Sequence, residues 1–220
     1  MRWSIAIVLL LASCTSMPDE TSRTDAPRYL ALGDSYTIGE SVAAEERFPH
    51  QLARELGIGT PQIIAKTGWT TDELNAAVDT ADPRGPFDLV TLLIGVNNQY
   101  RGREADEYRR EFSTLLRRAI GFAGGDPSRV IVVSIPDWGV TPFGAGSGRD
   151  RAAIAAELDA YNAAAAAVCA RHGVAFVDIA PVSRAHGAEL VAADGLHPSA
   201  GLYAEWTSLA LPAGEQLLSR

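Results

Sequence analysis

From Arg28 onward the apolar positions alternate between two rhythms. Short continuous runs at Tyr29–Leu32, Gln62–Ala65, Asp88–Ile94, Arg129–Ile135 and Val174–Val177 predict strands. The run DLVTLLI is apolar along nearly its whole length, as expected of a parallel strand covered on both faces. Between these runs the apolar residues recur at helical spacing. Phe48, Leu52 and Leu56 predict a helix closed by Gly57, and Asp72–Val78 a short one. Tyr108, Phe112, Leu115, Leu116 and Ile120 predict a helix over Glu104–Phe122. Ile154, Leu158, Tyr161, Ala165 and Val168 form the stripe of another over Asp150–His172, stopped by Gly173, and Leu202–Leu218 predicts the last. Five strands separated by helices imply an α/β fold with a five-stranded parallel sheet and right-handed crossovers. Ligands bind such sheets beyond the carboxyl ends of the strands, so chemistry is sought just after each strand. There is no internal repeat, and residues 28–220 read as one domain.

The first residues follow neither rhythm. Residues 1–14, MRWSIAIVLLLASC, carry one positive charge at Arg2, a short apolar run and small residues before Cys14. That run is too short to span a bilayer, which takes about 20 residues as a helix, and has the shape of a signal peptide. Leu11-Ala12-Ser13-Cys14 resembles the lipobox of bacterial lipoproteins, which implies lipidation of Cys14; an ordinary secretory signal cut nearby is the alternative. Residues 15–27, TSMPDETSRTDAP, are polar with two prolines and predict a tether. The expectation is an exported protein held at the bacterial membrane by its lipid anchor alone. Ser16 lacks the aspartate that resembles an inner-membrane retention signal, which leans towards the outer membrane and periplasm in a Gram-negative host.

Composition narrows the partners. With 220 residues, 47% apolar, the chain can bury a core without metal or disulfide staples. The net charge is −8 and no basic run interrupts it, which speaks against nucleic acid. Cys169, alone in the folded part, reads as a small buried apolar residue. Oligomeric state leaves no trace in the pattern.

Several polar residues stand where the sheet would place chemistry. Gly33-Asp34-Ser35-Tyr36 follows the first strand, so Ser35 sits at a strand-to-helix turn; alone, the tetrapeptide also fits a helix cap or turn. Asp194-Gly195-Leu196-His197-Pro198 puts a carboxylate three residues before a histidine. That spacing lets Asp194 reach Nδ1–H and leave Nε2 free to accept a serine proton. A capping Asp beside a surface His fits it too, and a pair of metal ligands fits poorly, because no further His/Cys cluster exists. Gly68 follows the second strand and Asn97 the third. The Ser35 N–H, the Gly68 N–H and the Asn97 amide would together make an oxyanion hole, where each donor is worth about 3 kcal/mol of barrier.

Ser35, Gly68, Asn97 and Asp194-x-x-His197 arrive in the order and setting of the SGNH hydrolases, also called GDSL esterases/lipases, and the chain resembles that family from about Tyr29 to Trp206. The resemblance implies a flavodoxin-like three-layer α/β/α sandwich and ester hydrolysis through an acyl-enzyme. It assigns Ser35 as nucleophile, His197 as base, Asp194 as triad acid, and Ser35, Gly68 and Asn97 as the oxyanion hole, with no cofactor or metal. Tyr36 stands where many members have leucine, which bears on substrate preference and not on mechanism. G-x-S-x-G occurs nowhere, against an α/β-hydrolase proper. The glycines of 144–148 stop short of a dinucleotide fingerprint at Arg149 and read as a flexible loop.

Tyr36, Trp69, Tyr100 and Trp138 could form an aromatic wall for an acyl chain or a sugar face, or simply cover loop backbone. Three functions stay open at this point: an esterase of short or medium acyl esters, including lysophospholipid-like or thioester substrates; a carbohydrate esterase removing acetyl groups; and a non-catalytic binding lipoprotein on the same fold.

Overall fold

The computed structural model describes residues 26–219. The export-like segment, Cys14 and nearly all of the tether lie outside the described residues. Five parallel strands, β1 (Tyr29–Gly33), β2 (Gln62–Ala65), β3 (Leu89–Leu93), β4 (Val130–Val133) and β5 (Ala175–Val177), form one sheet in the order β2-β1-β3-β4-β5. β1, β3 and β4 are buried at every position, as their unbroken apolar runs require. Removing each such Leu or Val side chain from water contributes about 1.5–3 kcal/mol.

The helices are α1 (Ser35–Ile38), α2 (Phe48–Glu55), α3 (Thr71–Ala81), α4 (Val96–Tyr100), α5 (Ala105–Phe122), α6 (Pro142–Gly146), α7 (Arg151–His172), α8 (Ala180–His186) and α9 (Ala200–Leu218). On one face α2 packs on α9, and α9 on β4 and β5; on the other α5 packs between α3 and α7. The sheet is thus sandwiched between two helical layers. Local chemistry sets the helix ends. Glu73 accepts from the Thr70 N–H at 2.9 Å as half of a capping box that opens α3. Asp150 caps α7 through the Ala152 N–H at 2.9 Å, and Gly173 closes it in the left-handed region.

The glycine-rich stretch expected as a flexible loop is instead helix α6 in its first part. Thr141 caps it by accepting from the Gly144 N–H at 3.1 Å. A Cβ at Gly144 would lie 2.4 Å from the Trp138 carbonyl, so the glycine serves close packing, which composition alone does not distinguish from flexibility.

β1 and β3 are neighbours in the sheet, but their following connections lead in opposite directions across it, to β2 and to β4. This is the switch point where doubly wound sheets open a crevice at the strand ends. Ser35 follows β1 and Asn97 follows β3, so both flank it.

Candidate active site

Ser35 is the first residue of α1, and its N–H has no carbonyl one turn earlier in the helix to donate to. Asp34 caps the helix, its Oδ1 accepting the Tyr36 N–H at 3.0 Å, while its Oδ2 has no hydrogen-bond partner. Asp34 is fully buried, and loss of water pushes its carboxyl up to about 7 despite the Tyr36 N–H, which acts to lower it.

The loop before α9 presents the histidine. Its shape comes from main-chain bonds: the Ala192 N–H donates to the His197 carbonyl at 2.7 Å and the Gly195 N–H to the Ala192 carbonyl at 3.0 Å. Inside this loop Asp194 turns back on its own chain. Oδ1 accepts the N–H groups of Leu196 and His197, both at 2.9 Å, and Oδ2 lies 2.5 Å from His197 Nδ1. Oδ2 also accepts the Ser41 hydroxyl at 2.7 Å. Burial works against the Asp194 charge. The His197 ring, the two main-chain donors and Ser41 together outweigh it, holding the carboxyl well below the usual range. With Asp194 on Nδ1, the ring keeps Nε2 as acceptor. The ring itself is buried, with Tyr36 edge-on at 5.6 Å between centroids.

A cavity of about 180 Å³ collects these groups. Ser35, Tyr36, Gly68, Asn97, Tyr100, Trp138 and His197, all expected from sequence, line it together with Thr67, Val96, Phe143 and Leu196, which were not. The Ser35 hydroxyl makes no hydrogen bond to the His197 ring here; the two share the cavity wall. Hydrogen bonds between a catalytic hydroxyl and its base are in general often long without substrate and tighten in the reacting complex. Asn97 spends one amide hydrogen on the Trp69 carbonyl at 2.9 Å, which leaves the second for the cavity. Trp69 does not line the cavity: its side chain packs on the core, and its contribution is that carbonyl. The Gly68 loop is held from two more sides. Arg101 donates to the Gly68 carbonyl at 2.7 Å, and the Thr67 hydroxyl donates to the Glu40 carboxylate.

One wall is aromatic. Tyr100, Trp138 and Phe143 have centroids 5.5–6.2 Å apart. Trp138 is anchored by its indole N–H on the Gln99 side-chain oxygen at 2.8 Å, and Gln99 in turn by Glu157 at 2.5 Å. Tyr100 and Phe143 are the exposed members of the wall, and the Phe143 N–H donates to the Gly195 carbonyl at 2.9 Å, in the loop that carries Asp194 and His197.

Phe143 and Leu196 escaped the sequence reading because one sits in a Gly/Pro stretch of loop-like composition and the other merely separates Asp194 from His197. Val96, next to Asn97, was the recoverable one, since it also lies just past a strand.

The sequence profile of GDSL-like lipases/acylhydrolases matches residues 31–204 of this chain. Solved structures share the architecture. The crystal structure of TesA superposes with a TM-score of 0.67 at 17% identity, covering 86% of this chain and 99% of that one. The lipase/acylhydrolase from Enterococcus faecalis gives 0.63 at 20% identity, covering 86% and 96%. Phospholipase A1 from Streptomyces albidoflavus NA297 gives 0.61 at 18% identity, covering 86% and 98%. At such identities the likeness speaks for the fold. No significant match was found among curated protein sequences.

Proposed function

The chain belongs to the GDSL-like lipase/acylhydrolase family, hydrolases of carboxylic esters, and on that premise we propose that it is a serine esterase of short and medium acyl esters. In this reading Ser35 is the nucleophile, His197 the base and Asp194 the residue that orients it. The observation that carries it is the 2.5 Å contact from Asp194 to His197 Nδ1, which leaves Nε2 as a proton acceptor in the cavity that Ser35 also lines.

The reaction runs in two halves. Ser35 Oγ attacks the ester carbonyl carbon as His197 Nε2 takes its proton. Negative charge collects on the former carbonyl oxygen, within reach of the Ser35 and Gly68 N–H groups and the second Asn97 amide hydrogen. Collapse breaks the bond to the alcohol, which leaves with the proton from His197. Water then attacks the acyl-Ser35 ester by the same path and restores the enzyme. Asp194 exchanges no proton; its charge stabilises the imidazolium formed twice per cycle.

The walls favour acyl chains. Tyr36, Val96, Tyr100, Trp138, Phe143 and Leu196 are apolar over most of their contact surface, and an acetylated glycan would find few partners there for its hydroxyls. The space of about 180 Å³ falls below the roughly 300–1,000 Å³ of drug-sized ligand pockets, which suits a short or medium chain better than a long one.

A p-nitrophenyl ester series from acetate to palmitate, with acetylated xylan and a lysophospholipid alongside, tests this reading. Turnover should peak at a short or medium chain and disappear in Ser35→Ala, while a fluorophosphonate should label Ser35 in the wild type alone. Turnover by Ser35→Ala close to that of the wild type would overturn it.

A further inference from the structure

The segment leaving the nucleophile helix reaches both halves of the site. Glu40 accepts the Thr67 hydroxyl, one residue before Gly68. Ser41 donates at 2.7 Å to Asp194 Oδ2, a partner 153 positions away in sequence. Oδ2 is the oxygen that also faces His197 Nδ1. Ser41 holds φ at +67°, a left-handed conformation that side-chain-bearing residues keep only where their surroundings over-determine it.

We infer that Ser41 is a positioning residue for the Asp194–His197 pair, a role that rests on the esterase reading above. The carboxylate needs two constraints to stay in line with the imidazole. The main-chain N–H groups of Leu196 and His197 fix Oδ1, and Ser41 is the second donor on Oδ2, beside the ring. The Asp194 side chain is 30% exposed, so water competes for its carboxylate. A serine hydroxyl on a loop braced against Thr67 occupies that direction and leaves the other lone pair to Nδ1. Ser41 does not line the cavity, so it acts on proton transfer and not on substrate contact.

Ser41→Gly is the informative variant, because glycine adopts this φ without strain and the fold is retained. Relative to wild type, kcat on p-nitrophenyl butyrate and the rate of fluorophosphonate labelling should fall about tenfold, the scale of one lost hydrogen bond to a charged group. KM should stay within about twofold, since no substrate contact is removed. The low-field NMR signal of the His197 Nδ1 proton should broaden. Ser41→Asn, which tolerates the left-handed region and carries an amide donor, should recover part of both kcat and signal. Wild-type kcat and an unchanged proton signal in Ser41→Gly would overturn the inference. So would a loss of kcat that follows the melting temperature down and is not recovered by Ser41→Asn. If the wild type takes no label at Ser35, the esterase reading falls, while the proton signal still decides whether Ser41 holds the pair.

Discussion

The guanidinium of Arg101 grips the carbonyl of Gly68 at 2.7 Å, tying the end of α4 to the loop after β2. Arg101 also reaches Glu73 at 3.4 Å, on the helix that this loop feeds. Gly68 itself sits at φ +87°, where an L side chain costs about 1–2 kcal/mol. The loop therefore takes its path from one glycine, and the arginine is one of three side-chain ties that aim it, with Asn97 and Glu40. Arg101→Ala should lower kcat about 3- to 10-fold, as expected of a net hydrogen bond of about 0.5–1.5 kcal/mol. The melting temperature should hardly move, because the arginine is half exposed. Gly68→Ala should lower both. Parallel kinetics and thermal melts check this, and a fully active Arg101→Ala would separate the arginine from the oxyanion donors.

If the substrates are acyl esters as proposed, Phe143 offers a clean handle on chain length. It is 39% exposed, whereas Trp138 is buried and hydrogen-bonded through its indole, so Phe143 can be cut back without loosening the core and Trp138 cannot. Phe143→Ala should raise KM for short esters about 3- to 10-fold and move the optimum towards longer chains, at a stability cost of about 1 kcal/mol or less. An unchanged chain-length profile across the p-nitrophenyl series would remove α6 from the acyl wall.

Asp34 should leave a mark on stability against pH. Its carboxyl is pushed up to about 7 in the folded chain, above an unfolded value near 4, because burial penalises the charged form. The folded state therefore binds more protons between about pH 4 and pH 7, and the stabilisation present below that window is lost as pH rises through it. Asp194 acts with the opposite sign and only in stronger acid, since its carboxyl is held low and its contribution is lost as pH falls. Wild type should melt several degrees lower at pH 8 than at pH 5. Asp34→Asn, which can still accept the Tyr36 N–H as a cap, should lose most of that difference. An equal drop in both proteins would assign it elsewhere.

Most of the architecture was legible because it obeys short-range rules. The buried strands announce themselves as apolar runs, and α5 and α7 as stripes at helical spacing. Asp194-x-x-His197 could be read because three residues are enough for a carboxylate to curl back onto its own loop. What escaped lacks a local pattern. Ser41 reaches across 153 positions, and no periodicity records such a meeting. Arg101 follows Tyr100 in a polar stretch where an arginine looks like any solvated cation. Trp69 shows the reverse error, an aromatic residue beside Gly68 whose ring turns to the core while its carbonyl faces Asn97. Composition misled over the first part of 144–148, which falls in α6, since glycines that permit tight packing resemble glycines that permit motion.

The hydrogen bond from the Phe143 N–H to the Gly195 carbonyl joins one end of the aromatic fence to the bracket that carries the imidazole. In the proposed esterase, an acyl tail long enough to push α6 outward would also tug on the peptide next to Asp194. Poorly fitting chains would then be penalised twice, once in how tightly they seat and again in how well the imidazole is aimed. Selectivity in such a site would be expressed in turnover as much as in affinity.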